Sequence, residues 1–387
     1  MKTAILTQAL HNNSGGYLQN YALQKVLESM GHDVETLDWD YYVSAIEPKK
    51  PFAYLWDIAK TVLSRTLLRR KTNYPWTRKE IYHLTAKLNR QFADEHMNVS
   101  EWLWGKGDFK RYSEEKGFDA FIVGSDQVWR AAYNKRGMLY RMFLDFTENM
   151  HVKRIVYAAS FGTEEWEYSL KQTKKCSELI QHFDTVSVRE ASGIDLCKKH
   201  FGVNNVRQVL DPTMLLEKQQ YLNLIKDKSS PQKEKYVLSY VLDNNKIIEQ
   251  TIIDFCSSIG YSSFFFLPKP CNLYKQDQND IQNCILPSVI DWLNAIAHSD
   301  FVVCDSFHGV VFSIIFNKPF AVLVNAQRGS SRFQSILSLF QLEDRIFSPG
   351  EDLNYVFSKQ IDWKKVNRIL AEQQELSLSF LTESLKQ

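Results

Sequence analysis

Along the chain, short continuous apolar runs alternate with stretches whose apolar residues recur every three or four positions. This is the pattern of parallel strands covered by helices on both faces. Residues 2–7 read as a first strand, 17–30 as a helix closed by Gly31 in the left-handed position, and 33–37 as a second strand. Residues 118–123, 154–159, 185–188 and 206–210 continue the sheet. Each is followed at once by polar or glycine-rich residues: Gly124-Ser125-Asp126-Gln127, then Ser160-Phe161-Gly162, then Arg189, then Asp211-Pro212. One such ending is ordinary turn chemistry. Four describe the rim of a shared cleft, because ligands of open α/β sheets sit beyond the carboxyl ends of the strands.

Between 51 and 111 the strand pattern stops. Phe52, Leu55, Trp56, Ala59, Val62, Leu63 and Leu67 recur at helical spacing among Lys60, Arg65, Arg69, Arg70 and Lys71, and a second helical run covers 77–91. The region, about 50–111, reads as a helical insertion in a first domain spanning 1–216. Composition turns to Lys, Gln and Ser over 217–235, where the chain is expected to cross into a second domain, 217–345. Its strands are 236–242, 261–267, 301–304 and 320–324, its helices 245–259, 288–298 and 309–316, and the polar loop 268–287 is long enough for a lid. A helical segment, 346–387, closes the chain and is expected to pack back on the first domain.

The chain has 387 residues, too many for one hydrophobic core. A formal net charge of +2, without basic stripes interleaved with aromatics, gives no reason to expect nucleic acid. Six scattered cysteines have neither disulfide nor zinc spacing and suit a reducing cytoplasm. The first residues turn polar too soon for a secretory signal, and no apolar run approaches the roughly 20 residues needed to span a bilayer. No Asp/His cluster has metal-ligand spacing, and no cofactor is expected.

The richest stretch is 301–320, read as buried strand, turn and buried helix, with Asp305, Ser306 and His308 at the turn and Gly309 after them. On one reading Ser306 caps the helix, Asp305 closes an Asx-turn and His308 is a satisfied core histidine. On the other, the helix start binds an anion and His308 moves a proton. The Gly15-Gly16 pair before the first helix allows close backbone approach to an anion or sugar, or serves only turn geometry. It lacks the full dinucleotide fingerprint.

Five segments in order carry a family resemblance. They are Gly15-Gly16-Tyr17-Leu18-Gln19-Asn20-Tyr21, Phe118 through the Gly124-Ser125-Asp126-Gln127-Val128-Trp129 turn, Val186-Ser187-Val188-Arg189-Glu190, Leu210-Asp211-Pro212-Thr213, and Ser306-Phe307-His308-Gly309. Together they resemble the polysaccharide pyruvyl transferases over most of the chain, from Gly15 to about Arg332. The resemblance implies an α/β architecture of two Rossmann-like domains facing a cleft (GT-B-like). It also implies transfer of the pyruvyl group of phosphoenolpyruvate onto two hydroxyls of a sugar as a cyclic ketal, in cell-surface polysaccharide biosynthesis.

By that resemblance Arg189 and the His308 turn hold the donor, with Asp305 orienting His308. Asp126 serves as base or hydroxyl-binding group, and Trp129 stacks on a sugar face. Gly15, Gly16, Gln19, Asn20, Ser125, Gln127 and Ser160 line the substrate site. The family carries an Arg-x-His-Gly or Ser-Phe-His-Gly turn here; members with Arg-x-His use that arginine for the donor, and where this chain has Ser306, Arg328, Arg332 or Lys318 is expected to supply the missing charge. Asp126 and Gln127 have a structural alternative, pinning the domains together.

Two rival readings share the fold. A nucleotide-sugar glycosyltransferase of the retaining kind would place a glutamate between Asp291 and Glu343, where this chain has none; an inverting enzyme escapes that test. A non-catalytic saccharide-binding protein is the other. The acceptors implied are saccharides, often lipid-linked. The expected location is therefore cytoplasmic and peripheral at the inner membrane face, with 52–71 as the membrane contact. The alternative for 52–71 is an apolar face packed on the first domain.

Overall fold

The computed structural model describes residues 1–42, 51–135, 137–268, 270–275, 278–324, 331–348 and 351–386. The first sheet comprises β1 (Lys2–Leu6), β2 (Asp33–Leu37), β3 (Ala120–Val123), β4 (Lys153–Ala159), β5 (Thr185–Val188) and β6 (Val206–Gln208), and the second β7 (Tyr236–Tyr240), β8 (Ser262–Phe265), β9 (Phe301–Cys304), β10 (Phe320–Leu323) and β11 (Ile346–Phe347). Every pairing is parallel. The orders are β2-β1-β3-β4-β5-β6 and β8-β7-β9-β10-β11. Both sheets therefore reverse direction beside their first strand, between β1 and β3 and between β7 and β9. At such a switch point the flanking connections diverge to opposite faces and leave a crevice.

Short strands suffice because they are buried on both sides: β3, β7, β9 and β10 have no exposed position. The helix Ser14–Ser29 follows β1 and packs by Tyr17, Leu18, Leu23 and Leu27 into one apolar core that runs on through Trp292, Val310 and Phe312 of the second half. That continuity across the two sheets fixes the switch points opposite one another, as a small polar interface would not. The final helix, Trp363–Leu385, returns to the first sheet, where Ser377 Oγ receives the Leu210 amide at 3.0 Å.

Several boundaries differ from the sequence reading for identifiable reasons. The first helix begins at Ser14, so Gly15 and Gly16 lie in its first turn and not in the preceding loop. The run 77–91 is two helices, Pro75–Thr85 and Lys87–His96, interrupted at Ala86, whose φ of −106° and ψ of 10° leave the helical region. Residues 346–347 form a fifth strand of the second sheet before the last helices begin. In the loop 268–287, the Leu273 carbonyl accepts from Asn73 Nδ2 at 3.0 Å, Tyr274 lies 4.5 Å from the Arg78 guanidinium, and Leu286 N donates to the Thr85 carbonyl. The described part of that loop buttresses the helical insertion and does not overhang the crevice.

Candidate active site between the two switch points

Register brings the ends of the inner strands level: Leu6 lies beside Val123, and Tyr240 beside Cys304. The residues just beyond these ends face each other across a cavity of about 410 Å³. Asn12, Asn13, Asp126, Gln127 and Tyr133 form one wall, and Tyr240, Asp305, Ser306, His308 and Arg332 the other. A contiguous cavity of about 270 Å³ shares the first wall and extends to His11, Tyr41 and Tyr82. A separate cavity of about 360 Å³ lies by Arg154 and Lys175, at the amino end of β4, and faces no part of the second sheet.

His308 sits in the first turn of the buried helix Phe307–Phe316. Its Nε2 is 3.5 Å from Oδ2 of Asp211, three residues beyond the end of β6. Asp211 is fully enclosed. Its Oδ1 accepts from Thr213 N (3.0 Å) and Thr213 Oγ1 (2.7 Å), and its Oδ2 from Arg189 Nη1 (2.7 Å) and Ser125 Oγ (3.2 Å). Burial alone would raise this carboxyl, yet His308 and Arg189 outweigh it and hold Asp211 far below the ordinary carboxylate range. The group that orients His308 is thus Asp211, not the sequence-adjacent Asp305. Asp305 is committed elsewhere: Oδ1 accepts from Leu242 N at 2.7 Å and Oδ2 from Asp243 N at 2.9 Å, which draws the β7 and β9 loops together.

Arg189 does not present an open fork to the cleft. Nη1 reaches Asp211, Nη2 reaches Asp126 Oδ1 at 3.3 Å, Nε reaches Glu190 at 3.1 Å, and the guanidinium lies 3.9 Å from the Phe307 ring. With three carboxylates around it, its charge is held more firmly than usual despite burial. It serves as the hub that aligns Asp126 and Asp211 and seats Phe307 of the second domain.

The glycines have a sharper purpose than anion approach. A Cβ on Gly15 would fall 2.2 Å from His308 Cγ and Nδ1, so the first helix and the His308 helix touch only because residue 15 has no side chain. Gly309 lets its own helix close on Cys304 of β9, at 3.0 Å from a Cβ placed there. Gly16 leaves room for Asn13, whose Nδ2 donates to Asp126 Oδ2 at 3.1 Å. Asp126 itself has φ of +68°, a left-handed conformation that Asp tolerates better than most residues and that turns its carboxylate toward the cleft.

Other expected contacts are structural. Trp129 is 0% exposed, stacked on Phe143 at 5.0 Å, and has no face open to a sugar. Gln19 bonds Thr7 Oγ1 and receives the Ser125 amide, Asn20 Oδ1 accepts from Thr36 Oγ1, and Ser125 Oγ donates to the Ala158 carbonyl. Ser160 Oγ accepts from Gly162 N; all four are closed off from the cleft. Gln127 does line the cavity, with Oε1 held by Arg130 Nη1 at 3.0 Å. Lys318 follows the carboxyl end of the His308 helix, a length of about 15 Å from the site for ten residues. It neighbours Asp300, at the amino end of β9, and burial lowers its pKa. Arg328 lies outside the described residues. Arg332 is the expected cation that the fold does bring to the cleft, near enough to Arg189 that burial and this second guanidinium lower its pKa.

Residues that the sequence reading left without a role are Asp211, Asn13, Tyr133, Tyr240, Tyr82 and His11. Asp211 had a signal, its position just past a strand. The tyrosines had none, because the helix, turn and strand end carrying them meet only in the folded chain.

The model of the polysaccharide pyruvyl transferase family matches residues 13–327. No curated protein matches the chain in sequence. Among solved structures, UDP-GlcNAc 2-epimerase from Neisseria meningitidis bound to UDP-GlcNAc superposes with a TM-score of 0.52 at 12% identity, covering 100% of this chain and 99% of that one. The glycotransferase of kitacinnamycin gives 0.52 at 10%, covering 99% of both chains. The UDP-GlcNAc 2-epimerase of Methanocaldococcus jannaschii gives 0.50 at 10%, covering 99% and 100%. At such identities these likenesses speak for the two-domain GT-B fold alone. The family match extends from the turn that starts the first helix to beyond the His308 helix, and so spans both walls of the cleft: this chain belongs to the polysaccharide pyruvyl transferase family and is a transferase.

Proposed function

We propose that the cleft transfers the pyruvyl group of phosphoenolpyruvate to two hydroxyls of a saccharide as a cyclic ketal, in the biosynthesis of a cell-surface polysaccharide. The observation that carries this reading is the His308–Asp211 pair, assembled from the two domains where both switch points meet. The reaction needs a proton delivered to the methylene carbon of the donor, which makes the neighbouring carbon open to attack by a sugar hydroxyl. That hydroxyl loses its proton as it adds. The bond to the phosphate oxygen then breaks, phosphate leaves, and the second hydroxyl closes the ring as its own proton is taken up. No oxidant or reductant enters the balance.

His308 supplies and recovers the proton, with Asp211 holding the imidazole in place. The donor's carboxylate and phosphate face the second-domain wall: the Ser306 hydroxyl, the amides that open the His308 helix, and Arg332. The acceptor occupies the contiguous cavity, where Tyr133 and the stacked His11–Tyr82 pair line the wall and Asn13 and Asp126 meet its hydroxyls. A lipid-linked acceptor would place the enzyme in the cytoplasm against the inner membrane face.

The test is to incubate the purified protein with phosphoenolpyruvate and a panel of saccharides, following phosphate release and the mass of the product. Acceptor-dependent phosphate release with a pyruvylated product is expected. Turnover of a nucleotide sugar with no phosphate released from phosphoenolpyruvate would overturn the reading in favour of a glycosyltransferase.

A further inference from the structure

The least expected surface of this protein is the helix Pro51–Thr66, which is attached to the body by the wrong side. Amphipathic helices of soluble domains bury the apolar stripe and expose the polar one. Here Tyr54, Asp57, Ile58, Thr61 and Ser64, spaced to fall on one face, are the partly or fully covered positions. The attachment is polar: Arg78 places Nη1 3.0 Å from Asp57 Oδ2 and donates from Nη2 to Asp57 Oδ1 at 3.1 Å and to Thr61 Oγ1 at 3.3 Å. The opposite stripe is apolar and open: Phe52 is 83% exposed, Leu55 62%, Trp56 59%, Leu63 53% and Leu67 72%. No single exposed leucine would call for explanation, but a continuous stripe of this kind marks a contact surface.

Charge identifies the partner. Lys60 flanks the stripe with Nζ 5.6 Å from the Trp56 ring, and Arg69 and Arg70 follow the helix end, where Arg70 N turns back to the Ser64 carbonyl at 3.0 Å. All three cations are exposed beside the apolar stripe, and the one carboxylate of the helix, Asp57, is turned inward. Arg65 does not belong to this set, because its guanidinium bonds the Thr72 carbonyl and lies over Tyr74. Aromatic and aliphatic side chains in the plane of a surface, edged by Lys and Arg, are the make-up of an interfacial helix on an anionic bilayer. No helix among the described residues is long and apolar enough to cross a membrane, so the contact is a lateral one.

We infer that the outer face of Pro51–Thr66, with Arg69 and Arg70, docks this protein on an anionic phospholipid surface. Arg78, which grips the helix, and Tyr82, which lines the smaller cavity, stand one turn apart on the helix Pro75–Thr85. The bilayer therefore lies beside the mouth proposed for the acceptor, and a saccharide carried on a lipid would enter from that side. This last step rests on the proposed function, whereas docking itself is measured without any substrate.

The experiment is co-sedimentation of the full chain with vesicles of equal parts phosphatidylglycerol and phosphatidylcholine, against vesicles of phosphatidylcholine alone. Wild type is expected to partition onto the anionic vesicles and to be released by high salt. Changing Lys60, Arg69 and Arg70 to Gln should weaken partitioning on the order of 100-fold, from about fivefold per basic residue near an anionic leaflet. Phe52→Glu, Trp56→Glu and Leu63→Glu should each weaken it by about tenfold or more, and they replace exposed side chains, so the melting temperature should hold. Failure of wild type to sediment with anionic vesicles at low salt overturns the inference, as does equal binding to neutral vesicles. So does a dimer in sedimentation velocity that the three glutamates disperse while vesicles go unbound, since a second copy would then be the occupant.

Discussion

Replacing Gly15 by alanine tests the assembly of the site more sharply than removing any polar group. The new methyl would stand 2.2 Å from His308 Cγ and Nδ1 and 2.5 Å from its Cβ, whereas ordinary contact begins at 3.4 Å, so one partner must give by 3.4 − 2.2 = 1.2 Å. The first helix cannot easily retreat, because Tyr17 and Leu18 just beyond Gly15 are locked in the shared core. His308 must therefore move, and a shift of that size changes its 3.5 Å spacing to Asp211. A misplacement of about 1 Å costs on the order of 100-fold in rate. Overpacking should destabilise the fold by about 1–3 kcal/mol, partly offset by the better helix propensity of alanine. The expected signature is a kcat at least about 100-fold lower with a modest loss of melting temperature. Gly107→Ala is the control, since nothing lies within 4 Å of its added Cβ. Steady-state kinetics with thermal melts decides the matter: Gly15→Ala enzyme with wild-type kcat would mean that His308 has no part in the reaction as placed.

Four further outcomes follow from the same geometry. His308→Ala should lower kcat by roughly 10²–10⁴ with the fold intact by circular dichroism, and full activity would remove the residue from the mechanism. Arg189→Lys should reduce both kcat and stability while calorimetric donor affinity holds, because Arg189 is spent on Asp126, Glu190 and Asp211; a selective loss of donor binding would show that it contacts substrate after all. Burial lowers the His11 pKa to about 4 from 6.5, so the unfolded state takes up this proton first. Its contribution is complete above pH 6.5 and falls as pH drops toward 4, by about 2–3 kcal/mol, a slope that urea titrations should find flattened in His11→Phe. Ser306→Arg, which adds a charge at the wall proposed for the donor, should tighten phosphoenolpyruvate binding by about tenfold or more, and unchanged affinity would place the donor elsewhere.

Strands were legible because apolar runs of four to seven residues ending in polar turns have few other physical explanations, and β1, β3, β5, β7 and β9 stand within a few residues of where periodicity places them. Helix starts were less so. Neither Asn13 nor Ser306 makes a side-chain capping bond, so neither Gly15 nor His308 announces itself as helical. Within the site, nearness in sequence misleads. Asp305 is three residues from His308 and bonds a loop, while Asp211 is about a hundred residues away and touches it. Trp129 shows the opposite error: an aromatic next to a strand-end motif reads as a sugar platform until packing seats it on Phe143. For the apolar stripe of 52–67, only the attachment through Asp57 and Thr61 shows that its apolar face is not the one packed on the first domain.

The distribution of charge across the cleft carries a further consequence for how two substrates would be ordered. Asp126, Glu190 and Asp211 all belong to the first domain and gather on Arg189, so that three carboxylates share one guanidinium there. Arg332 and the open end of the Phe307–Phe316 helix belong to the second. The proposed donor, bearing both a carboxylate and a phosphate, would be repelled by the first wall and drawn to the second, while neutral hydroxyls would suffer no such penalty beside Asp126 and could donate to it. His308 lies between, carried by the second domain but oriented by an acid of the first. On the proposed mechanism, a proton would pass between donor carbon and acceptor hydroxyl only when both walls are in register. Because the Gly15–His308 contact and the continuous core fix that register, the enzyme's two domains are expected to act as one body, with substrates entering a preformed crevice.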